Sequence, residues 1–327
     1  LPWCIPWSRI LKLKNITDMR FRPIILALPL LLIAAGADAD YAESVQSDRP
    51  VAWWSFDESS GTNAGNRLAG PGGVRTGGGA TGGVSGAAVH FGSEAAARIE
   101  VRLDALQDLG IDGIFNGSFS LEMWLRDEAA APDKRTNYSL FYKADAHAFT
   151  RNSLWLYRAR ADGDYHFRIQ GSRDTGVLLT INRPGPENAP GDREWHHLVI
   201  TVDRASDDPV AVAYLDGRPV SRAAVASYSF DNDGPLIIGN NHHRSSPWHG
   251  ALDELAIYDR ALVPSAIARH YGAGLRELEP PPPPTPIVSR QDYFELHIRP
   301  LLVEKCSDCH SGRPKAKSRL DILSRKS

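Results

Sequence analysis

Cysteine, methionine and basic charge are all scarce in this sequence, and each scarcity excludes something. The chain of 327 residues contains three cysteines and two methionines. Three cysteines cannot form the disulfide framework of a small secreted scaffold. Lysine and arginine together number 37 against 39 aspartates and glutamates, so no basic surplus exists to neutralise a run of phosphates. The composition therefore argues against a disulfide-stapled protein and against a nucleic-acid partner.

Residues 1–39 are typical of an N-terminal extension with a signal peptide. Two arginines precede an apolar run from Ile24 to Ala35, and Ala37-Asp38-Ala39 has the small-x-small form of a cleavage site. The run is shorter than the roughly 20 apolar residues that span a bilayer. We predict an exported bacterial protein, periplasmic or on the cell surface, which contacts the membrane only through its signal peptide.

The central region, from Val51 to about Ala261, is predicted to be all-β. Short apolar runs rich in aromatic and β-branched residues alternate there with Gly, Asp, Asn and Pro. So many strands imply two packed sheets. The pair Asp216-Gly217 predicts a tight hairpin turn, the glycine-rich stretch 70–86 predicts a loop, and 264–271 predicts a short closing helix with Pro264 in its first turn.

Five consecutive prolines at 280–284 divide the chain. Such a run favours a stiff polyproline II spacer over a folded element. We therefore place a β domain at 48–275, a Pro-rich linker at 276–288 and a second, short α-helical segment at 289–327. Apolar residues at near-helical spacing precede Cys306 in that last segment.

The motif Cys306-Ser307-Asp308-Cys309-His310 predicts covalent haem c. Attachment needs two thiols spaced to reach the two vinyl groups of the haem and an imidazole that follows them directly to ligate the iron. We assign Cys306, Cys309 and His310 to these roles, with His310 as the metal ligand. The alternatives are a redox dithiol, for which the usual βαβ setting is missing, and a pseudo-motif without cofactor. A methionine could ligate the iron from the other side of the haem, but Met123 lies on a predicted core strand, where packing is its expected role. The sixth iron ligand is therefore unassigned.

The segment around this motif resembles a known family. The strings FELHIRPLLVEKCSDCH and KSRLD, within Tyr293 to Asp321, are similar to the start of the planctomycete-type cytochrome c domain. The resemblance implies electron transfer with a redox partner that the sequence does not name. Because such a domain would continue beyond Ser327, we expect this one to be truncated.

A second resemblance covers the β region. The strings AWWSFDE (52–58), EWHHLVITVD (194–203), AYLDG (213–217) and GALDELAIYDRAL (250–262) resemble the laminin-G-like, concanavalin A-like lectin/glucanase superfamily. That resemblance implies a two-sheet jelly-roll sandwich over 48–275. It also implies binding of glycans or proteins, sometimes with Ca²⁺, and hydrolysis of polysaccharides in a minority of members.

Candidate site residues in the β region are few. Trp248, in a loop with three histidines, is the candidate for stacking on a sugar, the alternative being burial in the core. The other tryptophans on predicted strands, Trp155 among them, are expected in the core. Asp57 and Asp253 are candidate Ca²⁺ ligands, the alternative being hydrogen bonds to turns. No catalytic residue is assigned, because Asp253 and its neighbour Glu254 should point to opposite faces of a strand.

These patterns lead to one main hypothesis and two alternatives. The main hypothesis is an exported haem-c electron-transfer protein, not an enzyme, whose lectin-like sandwich binds a polysaccharide or a cell-surface glycan or protein. In the first alternative the chain acts only as a laminin-G-like carbohydrate- or protein-binding module, without functional haem. In the second the sandwich hydrolyses glycans.

Overall fold

The computed structural model describes residues 40–92, 94–111, 113–131, 136–144, 152–171, 175–186, 189–230, 232–279, 294 and 298–306. The chain divides into two units, 1–38 and 39–327. The first unit, with the predicted signal peptide, lies outside the described residues. None of the described helices is long and apolar enough to cross a membrane.

Strands dominate the described part of the chain. The helices are α1 (Tyr41–Ser47), α2 (Leu103–Asp108), a 3₁₀ turn (Ile114–Asn116), α3 (Pro264–Leu278) and α4 (Arg299–Cys306). The strands are β1 (Ala52–Trp54), β2 (Asn63–Ala64), β3 (Gly73–Thr76), β4 (Gly79–Gly82), β5 (Ala87–Phe91), β6 (Arg98–Val101), β7 (Phe119–Asp127), β8 (Tyr138–Ala144), β9 (Ser153–Arg158), β10 (Tyr165–Gln170), β11 (Thr175–Ile181), β12 (Trp195–Asp203), β13 (Val210–Leu215), β14 (Arg218–Ala224), β15 (Leu236–Ile238) and β16 (Gly250–Tyr258).

The strands form two antiparallel sheets, which confirms the predicted all-β, two-sheet sandwich. The first sheet has the order β14-β13-β12-β7-β16-β5-β4, with β1 also paired to β16. The second has the order β11-β10-β9-β8-β15-β6-β3-β2. Strands adjacent in space are often distant in sequence, as in a jelly roll. The Asp216-Gly217 turn between β13 and β14 is confirmed, with φ of 52° and 72° at its two residues.

The main core lies between the two sheets and follows the period of two that strands impose. On β7, Leu121, Met123 and Leu125 point into it, and on β9, Leu154 and Leu156 do the same. Met123 is packed among apolar side chains, as expected from its strand position. Burial of this apolar surface is the main force that holds the sheets together.

A second apolar layer covers the outer face of the first sheet. Helices α1 and α3 pack there, with Trp53, Trp124 and Tyr258 on the sheet side and Tyr41 and Ile267 on the helix side. Strand β16 is therefore buried along its whole length. The first sheet is thus a middle layer with protein on both faces.

The glycine-rich stretch 70–86 is not the continuous loop that its composition predicts. It contains β3, which pairs with β6 in the second sheet, and β4, which pairs with β5 in the first. Gly77 and Gly78 join them with φ of 64° and 69°, a left-handed conformation that favours glycine. Because these two residues turn so tightly, the chain passes from one sheet to the other without a long loop. Helix α3 is also longer than predicted, ending at Leu278.

Candidate functional site

A row of aromatic and basic side chains lies on the outer face of the second sheet. We call this surface the aromatic face and define it by Tyr142, Trp155, Tyr157, His166 and Arg168. It follows from the alternation along β9 and β10, whose leucine, phenylalanine and isoleucine side chains point inward while the intervening residues point outward. All of its residues except the buried Tyr142 are partly exposed.

Strand register brings these side chains into contact. Tyr142, Trp155 and Arg168 are direct partners across β8, β9 and β10, and Tyr157 is opposite His166. The Trp155 and Tyr157 rings stack with centroids 4.1 Å apart and an interplanar angle of 30°. Tyr142 meets Trp155 edge-on at 5.8 Å, and the guanidinium carbon of Arg168 lies 5.9 Å from the Trp155 ring centre. The indole N–H of Trp155 donates to Ser139 Oγ at 2.9 Å, so the ring is held in place.

A small pocket of about 220 Å³ opens beside Trp155. Amide, hydroxyl and guanidinium groups from three loops complete it. Its lining residues are Thr136, Asn137, Tyr142, Trp155, Arg160, Asn241, Ser245 and Ser246. The Asn241 side chain donates to Ser245 Oγ and Ser246 Oγ at 3.0 Å each, which fixes the loop on one side.

The chemistry of this pocket is suited to binding. Its volume is below the roughly 300–1,000 Å³ of ordinary small-molecule sites, so it would accept one ring-sized group of a larger ligand. None of its lining residues, which all belong to the described part of the chain, is a carboxylate. Glycoside hydrolysis uses a pair of carboxylic acids across the bond that breaks. The described lining residues therefore offer stacking and hydrogen bonding.

On the aromatic face, His166 lies near a carboxylate, whereas Arg168 does not pair with one among the described residues. Burial raises the pKa of the Tyr142 and Tyr157 hydroxyls, while the positive charge of Arg168 opposes that rise. His166 Nε2 lies 3.1 Å from Asp162 Oδ2. In the described residues no carboxylate pairs with Arg168, and its buried Nε has no hydrogen-bond partner.

The prediction that Trp248 stacks on a ligand is wrong, because its side chain is 0% exposed and belongs to the main core. Its backbone N–H donates to the Gly239 carbonyl at 2.8 Å, and its ring lies 6.5 Å from that of Tyr165. The loop folds back against the sheet and carries the indole inward. The alternative of core burial is the correct one for this residue.

The expectation that Trp155 lies in the core is also wrong. Trp155 points outward from β9, between the inward-facing Leu154 and Leu156. The signal was present in the string SLWLYR, where leucines alternate with aromatic residues and so lie on opposite faces of a strand. Residue type alone favoured burial, but the period of two decides the face.

Asp57 and Asp253 serve a turn, as the alternative to calcium binding predicts. Asp253 Oδ2 accepts backbone N–H groups from Val84 at 2.7 Å and Ser85 at 3.3 Å. Asp57 Oδ1 accepts that of Ala87 at 2.9 Å. These bonds hold the turn that precedes β5.

The same carboxylates lie beside an arginine, and calcium binding by them stays a prediction. The guanidinium of Arg67 provides a positive charge near these carboxylates. Its Nη1 lies 4.0 Å from Asp57 Oδ2 and 3.8 Å from Glu254 Oε1. Burial raises the pKa of Asp253 well above its ordinary value, and burial together with the Asp253 charge does the same for Glu254, which favours their neutral forms. Across the described ranges, no three Asp, Glu, His or Cys side chains form a group that could hold a metal.

A glycosidase pair at Asp253 and Glu254 is not supported either. Both residues are 0% exposed, and β16 has a bulge between Asp253 and Ala256 with φ of 53° at Glu254. The Glu254 carboxylate accepts a hydrogen bond from the Trp53 indole N–H. Carboxylates enclosed in this way have no access to a polysaccharide.

The predicted haem attachment residues lie almost wholly outside the described part of the chain. Helix α4 ends at Cys306, whose side chain is not among the described ones, and Cys309 and His310 follow beyond it. The linker at 280–288 also lies outside the described residues. Covalent haem and the domain boundary stay predictions.

The sandwich with its outward aromatic face defines a lectin-like β domain. A family model described as the concanavalin A-like lectin/glucanases superfamily, of the laminin G type, matches residues 103–268, about half of the chain. The chain belongs to this superfamily. No curated protein matches the sequence.

Several solved structures are similar to this chain at low sequence identity, and those with a TM-score above 0.5 share its fold. The binding domain of botulinum neurotoxin DC in complex with SialylT is 10% identical, with 69% of this chain and 52% of that chain covered and a TM-score of 0.52. The same domain in complex with rat synaptotagmin II is also 10% identical over the same shares, with a TM-score of 0.51. Domain 4 of AbnA, a GH43 extracellular arabinanase from Geobacillus stearothermophilus in complex with arabinotriose, is 18% identical. It covers 68% of this chain and 98% of its own, with a TM-score of 0.43. This chain spans about half the length of the toxin domains, and the likeness concerns the fold alone.

Proposed function

We propose that the sandwich is an exported glycan-binding module whose ligand contacts the aromatic face and inserts one sugar ring into the adjoining pocket. The observation that carries the proposal is the partly exposed, stacked pair Trp155 and Tyr157 beside a pocket lined by amides and hydroxyls. The proposed ligand is a polysaccharide or the glycan of a cell surface.

The physical basis is the mixed character of a sugar. A sugar ring has an apolar face of C–H groups and an edge of hydroxyls, so it suits an aromatic ring with hydrogen-bonding groups at its side. Trp155 supplies the ring, while Asn137, Asn241 and Ser245 supply donors and acceptors. Because strand pairing and the bond to Ser139 fix Trp155, little side-chain entropy is lost on binding.

The toxin domains of similar fold support a binding role. One was solved with SialylT and the other with rat synaptotagmin II, a protein. A surface protein is therefore the competing class of partner for this chain. It is distinguished from a glycan by the loss of binding after enzymatic deglycosylation of the target surface.

The test is a glycan array followed by calorimetry on the mature chain and two variants. Trp155→Ala should abolish binding to the glycans that the parent retains, and Trp155→Phe should keep part of it. The matched control is Val220→Ala, at a 46% exposed position on β14 of the other sheet, which should bind as the parent does. Undiminished binding by Trp155→Ala would overturn the site, and a folded parent that binds no glycan would overturn the function.

We propose a second function for the C-terminal segment, the covalent attachment of haem through Cys306, Cys309 and His310. The observation that favours it is an uncovered apolar surface ahead of the motif, where Leu301 is 56% and Val303 40% exposed. A haem requires apolar walls, and these side chains belong to the helix that ends at Cys306. When bound, the haem would supply one-electron redox chemistry.

The haem proposal is tested by a haem stain on a denaturing gel after co-expression with a cytochrome c maturation system. The parent should stain, because thioether bonds survive denaturation. The Cys306→Ala, Cys309→Ala double variant should not. An unstained parent from a host that matures a control cytochrome would overturn this function and leave the binding module standing.

A further inference from the structure

Arg168 combines two features within the described residues: no carboxylate forms an ion pair with it, and its buried Nε has no hydrogen-bond partner. Arg158 and Arg183 both lie against Asp127 Oδ2, at 3.4 Å and 3.6 Å. Arg168 instead lies at the centre of the aromatic face with its Nε buried and without a hydrogen-bond partner. A buried donor left unsatisfied is costly, and a charged one more so, so this side chain is suited to receiving an anion.

The remaining charges around Arg168 do not neutralise it. Asp162 is the carboxylate near Tyr157, and its Oδ2 lies 3.1 Å from His166 Nε2. Arg160 lines the adjoining pocket. Among the described residues, the guanidinium of Arg168 therefore has no carboxylate paired with it, while the nearby aspartate is paired with a histidine.

We propose that the aromatic face recognises an acidic sugar, whose carboxylate or sulfate pairs with Arg168 while its ring stacks on Trp155. This inference rests on the proposed glycan-binding function and specifies its ligand class. A guanidinium presents parallel N–H donors in a fixed plane, the geometry that carboxylate and sulfate oxygens accept. The contact of Arg168 with the indole places the charge beside the stacking surface.

The arrangement also selects against neutral sugars. A neutral ring could stack on Trp155, but it would cover Arg168 and remove water from its charge without supplying an anion. Such desolvation without pairing is unfavourable. We therefore expect uronate-containing or sulfated oligosaccharides to bind more tightly than neutral ones of the same length.

The experiment compares three oligosaccharide sets of matched length by calorimetry: polyuronate, sulfated galactan and neutral galactan. The parent should prefer one or both acidic sets, and which set binds identifies carboxylate or sulfate as the recognised group. Arg168→Gln should weaken acidic binding about tenfold or more, the usual scale of a charged hydrogen bond. Arg168→Lys should retain part of it, because the charge remains and the planar fork is lost.

Arg222→Gln, at an exposed position on β14 of the other sheet, is the matched control and should bind as the parent does. Parent affinity for the acidic set should also fall as salt rises from 0.05 to 0.5 M, because added ions screen the pair. This salt series tests the inference even if Arg168→Gln does not fold, since it needs no variant.

The outcomes separate this inference from the proposed function. Trp155-dependent binding of neutral galactan with no response to Arg168→Gln or to salt would overturn acidic recognition and leave glycan binding intact. No binding to any of the sets or to the array would overturn both.

Discussion

The outer faces of the two sheets carry similar side chains in opposite surroundings. On the first sheet, Trp53, Trp124 and Tyr258 are covered by α1 and α3 and are at most 1% exposed. On the second, Trp155 and Tyr157 have no helix over them in the described structure and stay partly exposed. Both sets have the same residue types and the same strand periodicity, so the covering helices decide which aromatic residues are structural and which can bind a ligand.

Polar groups show the same contrast. Under α3, the Glu122 carboxylate lies 2.8 Å from His197 Nε2 and 3.0 Å from His270 Nδ1, and it accepts from the Tyr258 hydroxyl at 2.6 Å. Burial opposes the charge of Glu122, but His270 and His197 overcome that cost and hold its pKa well below the ordinary value. On the aromatic face, Arg168 has no such partner in the described residues. The enclosed Glu122 is paired within the protein, whereas Arg168 is the group to which we assign an anionic ligand.

The largest expected effect on the free energy of unfolding comes from truncating a tryptophan, and its size should differ between the two faces. Trp124→Ala should lower the free energy of unfolding by about 3–5 kcal/mol, the usual cost of removing a fully buried aromatic side chain. Trp155→Ala should lower it by less than about 1.5 kcal/mol, because a partly exposed ring loses less buried apolar area. Urea denaturation of both variants measures the difference, and equal losses would contradict the contrast between the faces.

A smaller effect is expected from two glycines within α3. A Cβ at Gly274 would lie 2.3 Å from Cζ2 of Trp124, whereas one at Gly272 would meet only the end of Arg276 at 3.7 Å. Gly274→Ala should therefore destabilise the protein by about 1–3 kcal/mol through overpacking. Gly272→Ala should stabilise it by about 0.5–1 kcal/mol, as alanine does inside a helix.

Thermal and urea unfolding of the two alanine variants provide the measurement. The folded fraction of Gly274→Ala should still bind glycans, because the aromatic face lies on the other sheet. Weaker glycan binding without a loss of stability would mean that the two faces are coupled.

The smallest effect concerns pH and His196 on β12. Burial alone would lower the pKa of this histidine, but hydrogen bonds and charge from Asp216 and Asp192 raise it from 6.5 to about 9. A histidine whose folded pKa is raised contributes stability that is complete below its unfolded pKa and disappears as pH rises through the folded value. The contribution of His196 should thus be complete below pH 6.5 and be lost as the pH reaches about 9.

His196→Gln should remove this part of the pH dependence, as measured by urea unfolding at several pH values between 6 and 9.5. Asp192→Asn should remove only some of it, since Asp216 Oδ2 still lies 2.8 Å from His196 Nδ1. If parent and His196→Gln show parallel profiles, the histidine does not couple to folding.

The sequence by itself determined the all-β class, the Asp216-Gly217 turn and the superfamily resemblance, because strand periodicity and turn chemistry are local properties. The alternation of Leu154, Trp155, Leu156 and Tyr157 also contains the outward orientation of two aromatic side chains, although the prediction for Trp155 followed residue type and placed it in the core. Local pattern could not say whether that outward face would be covered.

Only the tertiary structure decided the identity of the site. Trp248 and Trp155 differ in role because a loop carries one into the core while strand β9 presents the other outward. The pocket unites β8 and β9 with residues near 241–246, about 100 positions later in the chain. Which carboxylate reaches which arginine likewise depends on contacts between distant segments, as with Asp127 and Arg183. Which side chains pair when they are far apart in the sequence depends on how the sheets pack, because no local sequence pattern specifies these contacts.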